Sequence, residues 1–199
     1  MKVVLATHNA HKVVELTTIL GPALDGIEIV AYDGPDAVED GATFEENALI
    51  KAREAAAYTG LPALADDSGI CVDALGGAPG IHSARYAGTR DDSDNVTLLL
   101  QNLGAEPNRA AQFVCAAALV IPAEPGSDTP ATEFVERGTW HGTVLDQPTG
   151  ANGFGYDPIF KPAGLSVSSA ELRAEEKNAI SHRKLAFTAL LEARGELLR

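Results

Sequence analysis

Cysteine is scarce in this chain of 199 residues, which contains only Cys71 and Cys115. The two lie far apart in the sequence and form no paired-cysteine motif, which argues against a disulfide framework and against a zinc cluster. Isolated thiols of this kind are typical of proteins from a reducing compartment. We therefore expect a cytoplasmic protein.

Long hydrophobic runs are also lacking. The longest apolar stretch, Phe113 to Ile121, is too short to cross a bilayer. The first apolar run stops at Ala6, so we expect no secretory signal. Hydrophobic residues nevertheless make up 45% of the chain and charged residues 22%, which is typical of a globular protein with a substantial core. We predict a single domain over residues 1–199.

Basic residues are scarce as well. The chain has 15 basic and 28 acidic residues, which gives a formal net charge of -13. Such a field repels nucleic acid and anionic membranes, so neither is an expected partner. A polyanionic substrate would be repelled too. If the protein handles phosphates, its few cations must converge at one place, and a divalent metal should help to neutralise the ligand.

Hydrophobic periodicity predicts short strands mixed with amphipathic helices, which indicates an α/β fold with a mixed sheet. Thr43 is followed three residues later by Glu46, the pattern of a capping box, and opens a helix that extends to Gly60. Further helices are expected between Asn9 and Gly21-Pro22, at Asp91 to Leu103 and at Ile180 to Leu198. Strands are expected at Val3 to Ala6, Ile27 to Ala31, Leu61 to Ala65, Ala110 to Ile121 and Thr132 to Val144, the last two antiparallel across a loop at Pro122 to Pro130.

The segment from Thr7 to Lys12 joins the first strand to the first helix. Asn9 suits the N-cap position, and the amide groups and dipole of a helix N-terminus attract anions. A cation in the first turn, such as Lys12, is unfavourable by about 0.3 to 1 kcal/mol unless an anion lies beside it. The segment therefore indicates a phosphate cradle, with an ion pair between Lys12 and Glu15 as the simpler alternative.

Two adjacent carboxylates open the tetrapeptide Asp66 to Gly69 at the end of a predicted buried strand. Their desolvation is costly unless they have partners. Neighbouring side chains of an extended backbone point to opposite faces, so one aspartate could bind a hard cation while the other makes structural hydrogen bonds. The alternative is a solvated turn with local hydrogen bonds. Glu39 or Asp40, in an acidic loop, could supply a second metal ligand.

Three further features carry polar or aromatic groups that could bind a ligand. Lys51 lies on the helix from Thr43, where an ion pair with Glu54 is the simpler explanation. Gly153 to Pro158 combines glycines that let the backbone approach a ligand with Phe154, whose ring could stack on a base; a tight turn anchored by core aromatics is the alternative. A donor-rich cluster at the start of the last helix consists of Lys177, Ser181, His182 and Arg183.

Together these segments resemble the inosine/xanthosine triphosphate pyrophosphatase (HAM1-like) family, which removes non-standard purine nucleoside triphosphates from the nucleotide pool. The resemblance extends over most of the chain, and its ordered motifs are far more specific together than any one alone. The motifs are Ala6 to Lys12, Thr43 to Arg53, Ala65 to Gly69, Gly76 to Gly80 with Ser83 to Tyr86, Gly153 to Phe160, and Ser181 to Arg183.

The resemblance implies an elongated central mixed sheet flanked by helices, with two lobes and an active-site cleft between them. It implies Mg²⁺-dependent hydrolysis of ITP, dITP or XTP between the α and β phosphorus atoms, by a homodimer. Donors facing the purine 6-position would favour the oxygen of hypoxanthine and xanthine over the amino group of adenine.

The resemblance also implies roles for individual residues. Asp67 is expected to be the catalytic base and a Mg²⁺ ligand, and Glu39 a further metal contact; either Asp67 or the metal could activate the water. The phosphates are assigned to Thr7, His8, Asn9, Ala10, His11, Lys12, Lys51 and Ser68, and the purine to Phe154, Gly155, Tyr156, Asp157, Lys177, His182 and Arg183.

Two residues depart from the family's usual pattern. His8 stands where a small residue is usual, and His82 stands where an aliphatic residue or tyrosine is usual. Neither change removes a functional group, but His8 could narrow the phosphate cradle or add pH dependence.

Two other functions compete with this interpretation. A nucleotide pyrophosphatase of the septum-formation-inhibitor type, which acts on other bases, is disfavoured by the segments Gly153 to Asp157 and Ser181 to Arg183. A nucleotide-binding regulator without turnover is disfavoured by the paired aspartates, since a binding protein has less use for an activated water.

Overall fold

The computed structural model describes residues 1–21, 26–123, 126 and 130–198. Its strands are β1 (Lys2–Leu5), β2 (Glu28–Ala31), β3 (Ala63–Val72), β4 (Ala110–Ile121), β5 (Thr132–Val144) and β6 (Phe160–Pro162). Its α-helices are α1 (Ala10–Leu20), α2 (Phe44–Thr59), α3 (Asp92–Leu103), α4 (Ala174–Ile180) and α5 (His182–Arg194). Short 3₁₀ helices lie at Asp73–Leu75, Gly80–Arg85, Asp157–Ile159, Ser169–Glu171 and Gly195–Leu198.

Within these described ranges the strands form one sheet in the order β2-β1-β3-β4-β5-β6. Strand β1 is parallel to both β2 and β3, with Val4 opposite Val30 and Ala63, whereas β6 is antiparallel to β5. The predicted α/β class with a mixed sheet is therefore confirmed. The expected neighbours β4 and β5 are adjacent, while the two lobes and the cleft between them remain predictions.

The capping residues at the helix ends largely agree with the sequence-based predictions. Thr43 caps α2, because its Oγ1 accepts a hydrogen bond from the amide of Glu46 at 3.1 Å. The returning bond from Glu46 is shifted by one residue, since its Oε2 accepts from the amide of Ala42 at 2.6 Å. Gly60 ends the helix in the left-handed conformation, with a φ of 67°. Asp91 caps α3 with its own carboxylate.

Strand β3 is longer than predicted. It was expected to end at Ala65, because Asp, Ser and Gly are typical of turns. In the structure it continues through Asp66 to Gly69 as far as Val72. Gly69 is required here by packing, since a Cβ atom would overlap the carbonyl oxygen of Gly80 and Oγ of Ser83. The solvated turn that was the alternative for this tetrapeptide is therefore wrong.

The predicted closing helix from Ile180 to Leu198 is also divided. It consists of the end of α4, the helix α5 and the final 3₁₀ segment, and the first break lies at Ser181, whose ψ of 162° is extended. Serine is favoured at the position directly before a helix, which accounts for a restart at His182. Helix α4 itself was not predicted. Pro22 and most of the expected loop Pro122 to Pro130 lie outside the described residues.

The chain folds into two compact units, each with its own core. The first unit comprises Met1–Asp67, Cys115–Gly138 and Arg183–Arg199, and its core includes Leu16, Leu64 and Phe187. The second unit comprises Ser68–Val114 and Thr139–His182, and its core includes Ile70, Leu99 and Phe160. Across the described part of the chain, no helix combines the length and apolarity needed to span a membrane.

We expect Gly69→Ala to destabilise the protein, because the added Cβ has no space beside Gly80 and Ser83. Overpacking of this kind costs about 1 to 3 kcal/mol, measurable by urea unfolding. Gly195→Ala is the matched control, since its Cβ would meet Leu191 at an ordinary 3.7 Å. The control should stay within about 0.5 kcal/mol of the parent. Equal stability of the two variants would contradict the packing explanation.

Candidate active site

Asp66 is a completely buried carboxylate in the middle of β3, with a side-chain exposure of 0%. Its Oδ2 accepts hydrogen bonds from Nζ of Lys12 at 2.9 Å and from Nε of Arg183 at 3.3 Å. Sγ of Cys115 lies 3.9 Å from the same oxygen. Oδ1 has no hydrogen-bond partner among the residues that the structure describes. A single oxygen thus joins the first helix, a central strand and the last helix.

The charge state of Asp66 is set by competition between burial and these cations. Burial favours the neutral acid, but the positive charges of Lys12, Arg183 and Lys51 outweigh it and hold the pKa of Asp66 below its ordinary value. Asp66 is therefore an anion at neutral pH. Burial, and then the charge of Asp66, raise the pKa of the Cys115 thiol, so this cysteine stays protonated.

Asp67, the next residue on β3, has a different set of partners. Its Oδ1 accepts a hydrogen bond from Nζ of Lys51 at 3.1 Å, and its Oδ2 lies 3.4 Å from Nδ2 of Asn47. The same Lys51 nitrogen is 3.2 Å from Oε2 of Glu39. The two consecutive carboxylates therefore contact different cations, as the alternation of side chains along a strand predicts.

The two aspartates also differ in the direction of their pKa shifts. Burial raises the pKa of Asp67 and outweighs the opposing charges of Lys51 and Lys12, while Glu39 and Asp66 add to the rise. Burial alone would lower the pKa of Lys51, but the surrounding carboxylates raise it. Adjacent acids whose environments push their pKa values apart are typical of sites that assign one of them to proton transfer.

Helix α2 and the acidic loop bring the partners of Asp67 together. Asn47 and Lys51 are one turn apart on α2 and lie on the same face of it. Oδ1 of Asn47 also accepts a hydrogen bond from the amide of Gly41 at 2.9 Å, which ties the loop that carries Glu39 to the helix. No role was predicted for Asn47, although a polar residue on the narrow apolar face of α2 was a signal for one.

The segment predicted as a phosphate cradle has the expected cap. Oδ1 of Asn9 accepts hydrogen bonds from the amides of His11 and Lys12 at 3.0 and 3.2 Å, and the first turn of α1 holds no acidic residue. Oγ1 of Thr7 accepts from the amide of Asn9 at 3.2 Å. Ala10 and His11 are exposed at the start of the helix. The first turn of α1 therefore contributes no carboxylate of its own that would offset the positive potential of the helix N-terminus.

His8 connects this cradle to the acidic loop. Its Nδ1 lies 2.6 Å from Oδ1 of Asp36, and its ring centroid lies 5.3 Å from that of Tyr32. Both side chains are exposed, with 42% of the His8 surface and 88% of the Asp36 surface accessible. His8 therefore adds a contact to the cradle that a small residue at this position could not make.

A magnesium site at Glu39 and Asp67 agrees with the donor chemistry found here. Oxygen atoms of both carboxylates lie within 3.2 Å of one cationic nitrogen, that of Lys51, so they already converge on the position of a cation. Mg²⁺ is commonly held by one or two carboxylates together with substrate phosphates. Within the described part of the chain, no group of three or more His, Cys, Asp or Glu side chains could hold a metal. The residues thus fit a metal that arrives with a polyphosphate.

The glycine-rich segment of the second unit surrounds a buried ion pair. Nζ of Lys177 lies 2.5 Å from Oδ2 of Asp157 and 4.9 Å from the centroid of the Phe154 ring. Oδ2 of Asp157 also accepts a hydrogen bond from the amide of Phe154 at 2.9 Å, and Oδ1 accepts from Oγ of Ser169 at 2.8 Å. Asp157 thus fixes both the lysine and the backbone that carries the half-buried aromatic ring.

Neighbouring residues hold the rest of this loop in place. The amide of Gly155 donates to Oδ2 of Asp92, at the start of α3, at 2.6 Å. The hydroxyl of Tyr156 donates to the carbonyl of Ser83 at 2.9 Å, and burial raises the pKa of Tyr156. Gly153 has a φ of 72°, and a Cβ there would overlap Asp157. Tyr156 therefore anchors the turn in the core, while Phe154 remains partly accessible.

Two further predicted residues also belong to the second unit. His182 is buried, and its ring stacks on Phe113 with centroids 4.8 Å apart and on Trp140 with centroids 6.3 Å apart. Ser68 is half-buried within β3, directly after Asp67. No role was predicted from the sequence for Phe113 or Trp140, whose rings pack against His182.

The structure distributes the predicted site residues between the two units. Arg183, predicted to contact the purine, lies in the first unit, where it binds Asp66 and its Nη1 donates to Oε2 of Glu15 at 2.8 Å. Lys12 pairs with Asp66 and Lys51 with Asp67, and both partners are distant in the sequence. The simpler alternatives, pairs one helical turn away with Glu15 and Glu54, do not predict these contacts. The residues grouped in the first unit are Thr7 to Lys12, Glu39, Lys51, Asp67 and Arg183, and those in the second are Ser68, Phe154 to Asp157, Lys177 and His182.

Comparison with known proteins gives concordant results for sequence and structure. The model of the Ham1 family matches residues 3–193. The chain is 54% identical to a protein of Leifsonia xyli subsp. xyli named dITP/XTP pyrophosphatase, a match that covers 100% of this chain and 98% of that one. It is 51% identical to a protein of the same name from Streptomyces avermitilis, with 99% and 98% covered.

Two solved structures are closely similar. The structure of a HAM1 protein from Coxiella burnetii superposes with a TM-score of 0.85 at 41% identity and covers 98% of this chain and 99% of that one. The Staphylococcus aureus Ham1 protein superposes with a TM-score of 0.84 at 38% identity and covers 98% and 100%.

We expect Asp66→Asn to lower the free energy of unfolding by about 3 kcal/mol, because it leaves Lys12 and Arg183 facing a neutral group in a buried site. Asp36→Asn is the matched control. It removes a carboxylate that is 88% exposed beside His8 and should change stability by less than about 1 kcal/mol. Urea unfolding of both variants measures the difference, and equal effects would mean that burial does not strengthen the Asp66 contacts.

Proposed function

This chain belongs to the Ham1 family, and from that premise we propose that it hydrolyses the non-standard purine nucleoside triphosphates ITP, dITP and XTP to the monophosphate and pyrophosphate. Its relatives with the name dITP/XTP pyrophosphatase match over nearly the whole of both chains. The observation that carries the proposal is the arrangement of the consecutive carboxylates Asp66 and Asp67, of which the first binds Lys12 and Arg183 and the second binds Lys51.

Asp67 acts as the general base in this proposal. A general base works best when its pKa lies near the working pH, and burial raises the pKa of Asp67 toward it. Its hydrogen bond from Nδ2 of Asn47 helps to hold the carboxylate in one orientation, so that it can orient a water and accept its proton. Asp66 remains ionised and fixes Lys12 and Arg183.

Lys12, Lys51 and the N-terminus of α1 provide the positive charge for the phosphates. Lys12 and Lys51 are each only 14% exposed, so their charges are screened weakly by solvent. Thr7, Asn9 and Ser68 add hydroxyl and amide groups to this set. Donors fixed before the reaction stabilise the charge that develops on the leaving pyrophosphate.

Glu39 and Asp67 are the residues that would hold Mg²⁺. Such an ion, when bound, would neutralise part of the charge on the β and γ phosphates. The convergence of both carboxylates on one cation supports this assignment, and so does the unfavourable net charge of -13 for a polyanionic substrate.

The second unit supplies the purine contacts in this proposal. Phe154 offers a partly accessible ring for stacking, and Asp157 and Lys177 fix the loop around it. Donors such as Lys177 and His182 favour an acceptor oxygen at the purine 6-position, so adenine, which presents an amino group there, is rejected. Arg183 was assigned to the purine as well, and its contacts with Asp66 and Glu15 support a second role in positioning Asp66.

Three further properties belong to the same proposal. The family model matches residues 3–193 continuously, which supports a single functional domain. A homodimer is proposed from the family resemblance, and a cytoplasmic location from the isolated cysteines Cys71 and Cys115. Analytical ultracentrifugation would test the dimer.

The reaction is tested by incubating the protein with ITP, XTP, dITP, ATP, GTP and UTP in the presence of Mg²⁺ and identifying the products. We expect inosine and xanthosine monophosphates together with pyrophosphate, and slow turnover of ATP. Release of orthophosphate and a diphosphate would mean cleavage of the other bond. Preference for UTP would favour the septum-formation-inhibitor type, and no product at all would favour a binding protein.

Asp67→Asn should lower kcat for ITP by at least about a hundredfold, because it removes the base while preserving the size of the side chain. Glu133→Gln is the control, since Glu133 pairs with Arg53 on the surface, and Arg53 is not one of the proposed site residues. The measurement is kcat with saturating Mg²⁺ for each variant. Wild-type turnover by Asp67→Asn would remove this carboxylate from the mechanism.

A further inference from the structure

Lys51 occupies an unusual position for a residue expected to bind phosphate. Its ammonium group lies between the two proposed metal ligands, 3.1 Å from Oδ1 of Asp67 and 3.2 Å from Oε2 of Glu39. These contacts place a positive charge where both carboxylates converge. A divalent cation bound to the same two oxygens would therefore have to lie beside the ammonium group of Lys51, or displace it.

The charges make simultaneous occupation unfavourable. Glu39 and Asp67 carry two negative charges, which one ammonium already offsets in part. A metal bound to the same oxygens would lie within a few ångströms of this ammonium, and like charges at such a distance repel strongly in a partly buried site. Mg²⁺ also gives up its water ligands reluctantly, so two carboxylates shared with a lysine form a poor site for it.

A polyphosphate changes this balance. Lysine carries a compact charge with rotatable donors on a flexible stem, so its ammonium can exchange one oxygen acceptor for another. Phosphate oxygens are strong acceptors for such a group. If Lys51 turns to a phosphate, the two carboxylates become available for a metal, and the phosphates supply further oxygen ligands.

We propose that Lys51 holds the place of the metal in the ligand-free protein and transfers to the substrate phosphates when the nucleotide binds. The metal and the polyphosphate then bind as a unit, and each raises the affinity for the other by the same factor. This inference rests on the proposed function, because it uses Glu39 and Asp67 as the metal ligands.

The first test measures binding of Mn²⁺ alone, without nucleotide, from the electron paramagnetic resonance signal of the free ion. We expect weak binding by the wild type and at least about tenfold tighter binding by Lys51→Met, because the competing charge is gone while the side-chain size is kept. Lys51→Gln is the second variant, in case the methionine variant does not fold. Circular dichroism establishes folding for each.

Two controls separate this effect from a change in net charge. Arg53→Met removes one positive charge from the same helix, where Arg53 pairs with Glu133, and should bind Mn²⁺ as weakly as the wild type. The double variant Glu39→Gln with Lys51→Met should lose the gained affinity, because one of the two carboxylates is neutralised. Equal gains in the Arg53 and Lys51 variants would overturn the proposal.

The wild type provides an independent test by thermal unfolding. Mg²⁺ alone should leave Tm unchanged, whereas Mg²⁺ with inorganic pyrophosphate should raise it by more than pyrophosphate alone does. Tight binding of Mn²⁺ by the unliganded wild type, or a rise in Tm with Mg²⁺ alone, would overturn the role of Lys51. The proposed function would survive that result if ITP is still hydrolysed to pyrophosphate, and it would fail separately if it is not.

Discussion

The arrangement of the first unit depends on the contacts made by one carboxylate oxygen of Asp66. Lys12 approaches it from the start of α1 and Arg183 from the start of α5, while β3 fixes the carboxylate itself. A buried carboxylate without partners would be too costly to keep ionised, and two buried cations without a counter-ion would be equally costly. Each group is therefore tolerated because the others are present. This mutual requirement sets where Lys12 lies, and hence where the positive charge beside the N-terminus of α1 is placed.

The neighbouring residue, Asp67, lies in a different electrostatic environment, and its pKa is shifted in the opposite direction. It shares the strand with Asp66, but its cation also binds Glu39, and its own burial is not fully compensated. Because side chains alternate along β3, a single step in the sequence separates a carboxylate held firmly as an anion from one whose proton affinity is raised. One strand thus provides two acids with different proton affinities, and no further helix or strand has to carry the second acid. A turn at this position, with both acids in solvent, would have given them similar properties.

Sequence patterns predicted the elements whose signals are local. The cap at Asn9, the helix from Thr43 and the strand bounds at Ala110 and Val144 depend on nearby residues, and the structure agrees with them. The need for glycine at position 69 of β3 was not predictable, because it arises from the closeness of Ser83 and Gly80 in the folded chain. The pairing of Arg183 with Asp66 is likewise invisible in the sequence, since 117 residues separate them. Asn47 was missed because its partners, Gly41 and Asp67, become neighbours only after folding.

Three lysines among the proposed site residues share one feature, which is that each is already paired with a carboxylate. Lys12 binds Asp66, Lys51 binds Asp67 and Glu39, and Lys177 binds Asp157. In a chain with a net charge of -13, cations without counter-ions would attract polyanions of every kind, and engaged ones attract few. A ligand must then offer oxygens good enough to exchange for those of the carboxylates, and must compensate the carboxylates that it releases. The polyphosphate and divalent cation of our proposal would meet both conditions, because the phosphate oxygens would bind the lysines and the metal would bind the acids. In the proposed function, these internal ion pairs therefore favour a ligand that brings both phosphate oxygens and a cation over a simple anion.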